Sequence, residues 1–516
     1  MRITVDYIIS SKTLMGSCRN YAHILALLVS LACLFPDTLS ATARDGGSAD
    51  FAGSKNLPQQ LPDSVAILLK KYGISLSAVS LDIQEAESQS TLVSLNSNAP
   101  RNPASVIKLV TTLSALEILG PDYQWHTRYW ADGTITDGVL TGDLVLQGGG
   151  DPFLTVDKFL HQVLSIRQRG IHTITGSLVI DNSLFDVADH DRAQFDGQPS
   201  RLYNVEPDSA LVNFSATRFI IQPMQTNGGT RIAVFADPPV ADLVVENNIK
   251  PQSGKCPNRN NGRNHGWSYE LHKKGDKVIA RFDGKYRSRC GQHSITRSLF
   301  SNREYTYRLF KYLWSNSGGT FDGGYRMAVT PDHAIAIISY PSEPLADVIT
   351  SINKYSNNVM ARQLMLSLDA QGQDRPATIA GGHAAIKNWL SENAGIMPRL
   401  IIDNGAGLSR KTRITTANLT NLLQHGWRSN YRAEFLSSFP LAALDGTMKK
   451  RLRGSALTGR ARIKTGLINS VRSMAGFVNA SNNKHYSVAM MIESKNVGFG
   501  NGNVIQDAVL EWIYNR

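Results

Sequence analysis

Short β-like runs stand at both ends of this chain, with a turn-rich middle and a helical stretch between them. Near the start they are 76–83 (LSAVSLDI) and 90–95 (STLVSL); near the end they are 461–465, 472–478 and 486–493. A lone hairpin is marginal in water, whereas several strands sharing a buried face are stable. The order therefore predicts one sheet assembled from both ends of the chain, with the middle looped out. Helical texture fills 302–315, 346–370, 383–394 and 416–427, and a last helix is expected over 503–514. From 123 to 300 short alternating runs, such as 142–146 and 176–180, are separated by turn-rich pieces (GGGDP at 148–152, NNGRNHG at 260–266). One helix-like segment, 156–169, interrupts them, and no internal repeat is visible. At 516 residues the chain exceeds one ordinary core. The expected class is α+β multidomain: a discontinuous unit from 63–122 and 301–516, with a mostly β region at 123–300 inserted as two small domains.

The first 43 residues are a separate matter. Arg2, Lys12 and Arg19 precede an apolar run at 23–35, followed by Pro36 and the triplet Ala41-Thr42-Ala43. A basic flank, a short apolar core and small residues at the exit describe a secretory signal peptide, and the run is short for a membrane span. An uncleaved N-terminal anchor is the competing reading; a lipoprotein is disfavoured, because Ser30 precedes Leu31-Ala32-Cys33 where leucine is preferred. Residues 44–62 read as a flexible leader. Export places the mature protein in the periplasm or another extracytoplasmic space. There the two cysteines left after cleavage, Cys256 and Cys290, are expected to form one disulfide acting as a loop staple.

The formal charge is +12, and about +11 remains without residues 1–43. An excess of positive charge suits an anionic wall polymer or a membrane surface, so peripheral membrane association is compatible with it. No nucleic-acid-binding motif accompanies the charge, and nucleic acid is not an expected partner. The twelve histidines show neither HExxH nor a CxxC partner, so no metal site and no metal cofactor are expected.

Ser105 and Lys108 lie in NPASVIKLVTTLSALEILG (102–120), where Leu109, Leu113, Leu116 and Leu119 make an apolar helical stripe. Alone, Ser-x-x-Lys is weak: Ser351–Lys354 and Ser481–Lys484 repeat it, and a serine at a helix start is usually a cap. Downstream, however, Ser356-Asn357-Asn358 opens another apolar helix, and Lys464-Thr465-Gly466 sits in a strand-like run. That ordered triple is the signature of active-serine penicillin-binding proteins and β-lactamases. Its logic is physical. A serine hydroxyl must lose its proton to attack, and a lysine accepts it only when burial and a neighbouring cation keep the amine neutral. One helical turn brings Lys108 to Ser105. Lys464 is expected to be the second cation and to attract a substrate carboxylate. Ser356 is expected to bridge the two lysines and pass a proton to the leaving amine, while Asn358 orients Lys108 and holds the substrate amide. Thr465 belongs to the same carboxylate pocket. Gly466 admits a close backbone approach, and the N–H groups of Ser105 and Leu467 would form the oxyanion hole.

Together with GDLVLQGGGDPFL (142–154), GSLVIDNSLFD (176–186), NGAGLSR (404–410) and a gap of about 250 residues between Ser105 and Ser356, these motifs resemble one family. It is the low-molecular-mass class C penicillin-binding proteins, D-alanyl-D-alanine carboxypeptidase/endopeptidases. The resemblance implies a β-lactamase-like catalytic domain, a five-stranded antiparallel sheet flanked by helices, with mostly β inserted domains. It implies removal of terminal D-alanine from peptidoglycan stem peptides, cleavage of cross-bridges, acylation by β-lactam antibiotics such as penicillin, and no cofactor. It also implies an acidic residue on the inserted region that holds the amino group of the substrate's diamino acid; Asp196, in FDGQPSRLYN (195–204), is the nearest match. Two departures bear on substrate preference: Leu467 stands where Thr or Ser is common, and Asn404-Gly405-Ala406 replaces Asp-Gly-Ser in a loop read as structural. The competing readings are a β-lactamase or esterase using the same groups, and a non-catalytic peptidoglycan-binding scaffold.

Overall fold

The computed structural model describes residues 61–188, 191–256, 266–395, 397–498 and 500–516. The signal peptide, nearly all of the leader and the turn-rich piece at 260–265 lie outside the described residues.

The two chain ends do build one sheet. Its strand order is Ala461–Ile468, Val471–Asn479, His485–Glu493, Val79–Glu85, Thr91–Leu95, and every pairing is antiparallel. Side chains alternate faces along a strand, and the two faces meet different cores. Val79, Leu81 and Ile83 join Val488, Met490 and Ile492 beneath the helices Asp63–Lys71 and Asn501–Tyr514. On the other face Ala475, Phe477, Ala489 and Met491 pack with the helix Lys108–Leu119 and those at 345–369 and 416–428. The Lys108–Leu119 helix carries more than a stripe: from Lys108 to Leu116 it is buried on every side, as the central helix of a helical layer must be.

Three further sheets come from the middle of the chain. Two three-stranded sheets, at 217–297, share a small core around Phe219, Ile249, Phe282 and Tyr286, and Cys256 and Cys290 are disulfide-bonded beside it. A seven-stranded sheet includes His126–Thr136, Val139–Gln147 and Leu178–Asp181, but also Thr320–Phe321, Tyr325–Met327 and Ile335–Pro341. Residue 300 is therefore not where the middle architecture stops. The reason is apolar surface. Tyr305, Leu309, Phe310 and Trp314, on the helix Asn302–Asn316, are buried with Phe159 and Val163, so this helix and the strands after it pack on the middle sheet.

The segment 346–370 is two helices, Leu345–Tyr355 and Asn358–Asp369. Ser356 breaks them with left-handed backbone (φ 57°, ψ 38°), and Asn357 caps the second helix by accepting from the Met360 N–H. A non-glycine residue in that conformation costs free energy and persists only where its surroundings enforce it. No helix among the described residues is long and apolar enough to cross a membrane.

Candidate active site

Every residue from Arg101 to Leu116 is buried except Ser105. Its presentation begins one residue earlier, where Ala104 takes a positive φ of 44° and donates its N–H to Asn102 Oδ1 at 2.8 Å. Ser105 lies in a short 3₁₀ turn, Ala104–Ile107, that runs into the α-helix at Lys108. No capping bond is made by its hydroxyl. Instead, Ser105 Oγ lies 3.1 Å from Lys108 Nζ.

Three oxygens surround the Lys108 amine: Ser105 Oγ at 3.1 Å, Asn358 Oδ1 at 2.6 Å, and the Ala406 carbonyl. Two of these are carbonyls and can only accept. A neutral amine has two N–H groups and one lone pair; with both N–H groups spent on the carbonyls, the lone pair faces the serine hydroxyl. Electrostatics favour that neutral form. Burial first, then the charges of Lys464 and Arg362, hold Lys108 well below the ordinary lysine range. The Lys464 effect was expected; that of Arg362, one turn beyond Asn358 and itself buried, was not. Arg362 Nη1 donates to the Val205 carbonyl at 2.9 Å, and burial brings its pKa down to about 10.

Ser356 and Lys464 form the adjacent half of the site. Lys464 Nζ donates to Ser356 Oγ at 2.8 Å and to the Thr465 carbonyl at 2.9 Å. Ser356 was expected to bridge both lysines, but among the described residues no hydrogen bond joins it to Lys108. The break between the two helices turns Ser356 toward the strand while Asn358, two residues on, faces Lys108. Lys464 is fully buried, and burial lowers its pKa to about 7. Its ammonium is therefore only half formed near neutrality, and an arriving carboxylate would favour the charged form.

The strand Ala461–Ile468 lies directly against the Ser105 turn. A Cβ on Gly466 would come within 2.6 Å of the Pro103 carbonyl and 3.0 Å of the Ser105 nitrogen, so glycine is required for this approach. Gly407 is equally constrained: a Cβ there would lie 1.9 Å from the Ala104 carbonyl. The loop at 404–410 is thus part of the site, since it delivers the Ala406 carbonyl to Lys108. Sequence reasoning assigned that loop only a structural part, because any residue type presents the same carbonyl.

Thr465 Oγ1 is 2.9 Å from Thr447 Oγ1, while Leu467 is 62% exposed and adds no side-chain hydroxyl. Asp196 is exposed, on the middle segment. Its carboxylate accepts from Tyr203 Oη (2.7 Å), Asn204 Nδ2 (3.0 Å) and the Gln198 N–H (3.1 Å). Burial alone would raise its pKa, but these bonds outweigh it and hold the group below the usual carboxylate range. Arg410, from the 404–410 loop, donates to the Phe195 carbonyl next to it at 3.2 Å.

The sequence profile of the D-Ala-D-Ala carboxypeptidase 3 (S13) family matches residues 61–515. The D-alanyl-D-alanine carboxypeptidase DacB of Haemophilus influenzae is 23% identical over 416 residues, covering 77% of this chain and 81% of the relative. A D-alanyl-D-alanine carboxypeptidase of an Actinomadura species is 23% identical over 472 residues, covering 89% and 85%. Among solved structures, penicillin binding protein 4 of Haemophilus influenzae superposes with a TM-score of 0.70 at 20% identity, over 88% of this chain and 99% of that one, which establishes a shared fold. The expected fold class, a β-lactamase-like unit with mostly β additions, is the one found. With the match running over nearly all of the described chain, this protein belongs to the D-Ala-D-Ala carboxypeptidase 3 (S13) family of serine peptidases.

Proposed function

We propose that this protein is an exported D-alanyl-D-alanine carboxypeptidase that also cleaves peptide cross-bridges of peptidoglycan, through an acyl-enzyme on Ser105. The observation that carries the reading is the Lys108 amine held by two carbonyls with its remaining valence toward Ser105 Oγ. Ser105 Oγ attacks the carbonyl of the penultimate D-alanine as its proton passes to Lys108. The oxyanion is held by the N–H groups of Ser105 and Leu467. Ser356 hands a proton to the departing amine and is replenished with the one Lys108 drew from Ser105. The neutral Lys108 amine then takes a proton from the attacking water and returns it to Ser105 Oγ as the acyl group leaves. Asn358 fixes Lys108 and the substrate amide, while Lys464 and Thr465 hold the carboxylate of the leaving residue. Asp196 receives the amino group of the diamino-acid side chain. Penicillin enters the same path and stays as an acyl-enzyme. The catalytic unit is discontinuous, formed from 63–122 and from the chain that follows the last strand of the middle sheet, Ile335–Pro341. The signal peptide delivers the protein to the periplasm, where its positive charge favours the wall and the membrane surface.

Purified muropeptide monomers and cross-linked dimers test this. The wild-type protein is expected to release D-alanine from pentapeptide monomers and to split dimers, and Ser105→Ala to do neither. Activity retained by Ser105→Ala would refute the nucleophile. Rapid penicillin turnover without D-alanine release would instead indicate a β-lactamase, and undiminished binding to sacculi without turnover would indicate a scaffold.

A further inference from the structure

The carboxylate pocket has a donor deficit. A charged Lys464 has three N–H groups, of which Ser356 Oγ and the Thr465 carbonyl take two, leaving one for a ligand. Thr465 offers one O–H. Leu467, two residues along the same strand and so on the same face as Thr465, offers none from its side chain.

A second hydroxyl is nevertheless present, on a different element. Thr447 sits in a 3₁₀ turn, Gly446–Met448, with its Oγ1 2.9 Å from Thr465 Oγ1. Two hydroxyls share one hydrogen bond between them, so the pair has a second proton to give. The turn is fixed from three sides. Met448 is fully buried. Asp445 accepts from Lys354 Nζ at 2.5 Å and from the Leu441 N–H at 2.8 Å. Gly446, at a positive φ of 52°, presses so closely on the end of the Leu345–Tyr355 helix that a Cβ would lie 2.5 Å from the Lys354 carbonyl. Since Lys354 lies two residues before Ser356, Thr447 is positioned by the same helix end that presents Ser356.

We propose that Thr447 is a substrate-binding residue which supplies, from this turn, the carboxylate-binding hydroxyl that Leu467 does not. In the free protein the hydroxyls of Thr447 and Thr465 satisfy each other; when the carboxylate of a D-amino-acid leaving group or of penicillin arrives, each turns to donate to it. This rests on the peptidase reading and deepens it.

The test uses two acyl-D-alanine thioesters, one whose thiol leaving group ends in a carboxylate and one with an ethyl leaving group. Thr447→Val keeps the shape of the side chain and removes the hydroxyl. The ratio of kcat/KM for the carboxylate probe to that for the ethyl probe is expected to fall at least tenfold, mainly through KM. Adding Leu467→Thr to the same variant is expected to restore the ratio to within about threefold, a rescue that mere repair of packing would not give. An unchanged ratio, or an equal fall with both probes, would overturn the assignment. Should wild-type Ser105 stay unmodified by either thioester, the peptidase reading itself would fall, and the role of Thr447 with it.

Discussion

Lys464 is a fully buried amine, and its replacement by Met is predicted to make the protein more stable near neutrality while destroying its chemistry. Burial lowers its pKa from the ordinary 10.5 to about 7. Between those values the unfolded chain holds a proton that the folded protein does not, so stability rises with pH through this window and is lost as pH falls toward 7. At 1.36 kcal/mol per pH unit the penalty at pH 7 is about 4 kcal/mol, vanishing above 10.5. Met fills the same slot without the amine. It also forfeits the bonds to Ser356 Oγ and the Thr465 carbonyl, at 2.8 and 2.9 Å, a loss of about 1–3 kcal/mol. The net expectation is a gain of about 1–3 kcal/mol at pH 7 that changes sign by pH 10.5. Denaturant unfolding of both proteins across pH 7–10.5, each in a Lys108→Met background because Lys464 itself lowers the Lys108 pKa, measures it; taking the difference then cancels the groups that do not interact with Lys464. A difference independent of pH would refute the claim that Lys464 is held depleted of its proton.

Three further outcomes follow from the geometry. Asn358→Leu leaves one buried Lys108 N–H without its acceptor, which at about 1–3 kcal/mol should slow penicillin acylation about 10- to 100-fold, measured by stopped-flow or gel-based labelling. Gly466→Ala puts a methyl 2.6 Å from the Pro103 carbonyl and forces the strand off the Ser105 turn; acylation should fall at least tenfold with the circular dichroism spectrum retained. The ammonium of Lys464 is present below about pH 7 and lost above it, so acylation by carboxylate-bearing penicillin should decline on the alkaline side with an apparent pKa of about 7. A flat profile to pH 9 would contradict that role.

Much of the fold was legible because the strand and helix periods are simple. The β-like runs at 472–478 and 486–493 foretold strands, and the order of elements foretold a sheet closed from both chain ends. Ser105 and Lys108 were readable because one helical turn fixes their separation whatever lies around them. Other parts were not readable, each for its own reason. The Ala406 carbonyl is backbone, and residue identity does not mark a carbonyl that lines a site. That Ser356-Asn357-Asn358 opens a helix was readable, but the left-handed backbone by which Ser356 ends the helix before it was not, because the apolar period runs on across the break. Thr447 lacks a motif of its own, since its place depends on Gly446 and Asp445 docking against Lys354 far upstream. The packing of 301–341 on the middle sheet turns on which surface the face of Tyr305, Phe310 and Trp314 covers, and an apolar face does not name its partner.

Peptide mapping by mass spectrometry after incubation with labelled penicillin tests the central claim most directly. One covalent adduct on Ser105, formed by the wild-type protein and absent from both Ser105→Ala and Lys108→Ala, is the predicted result. An adduct on Ser356 or any other residue, or labelling that persists undiminished without the Lys108 amine, would contradict it.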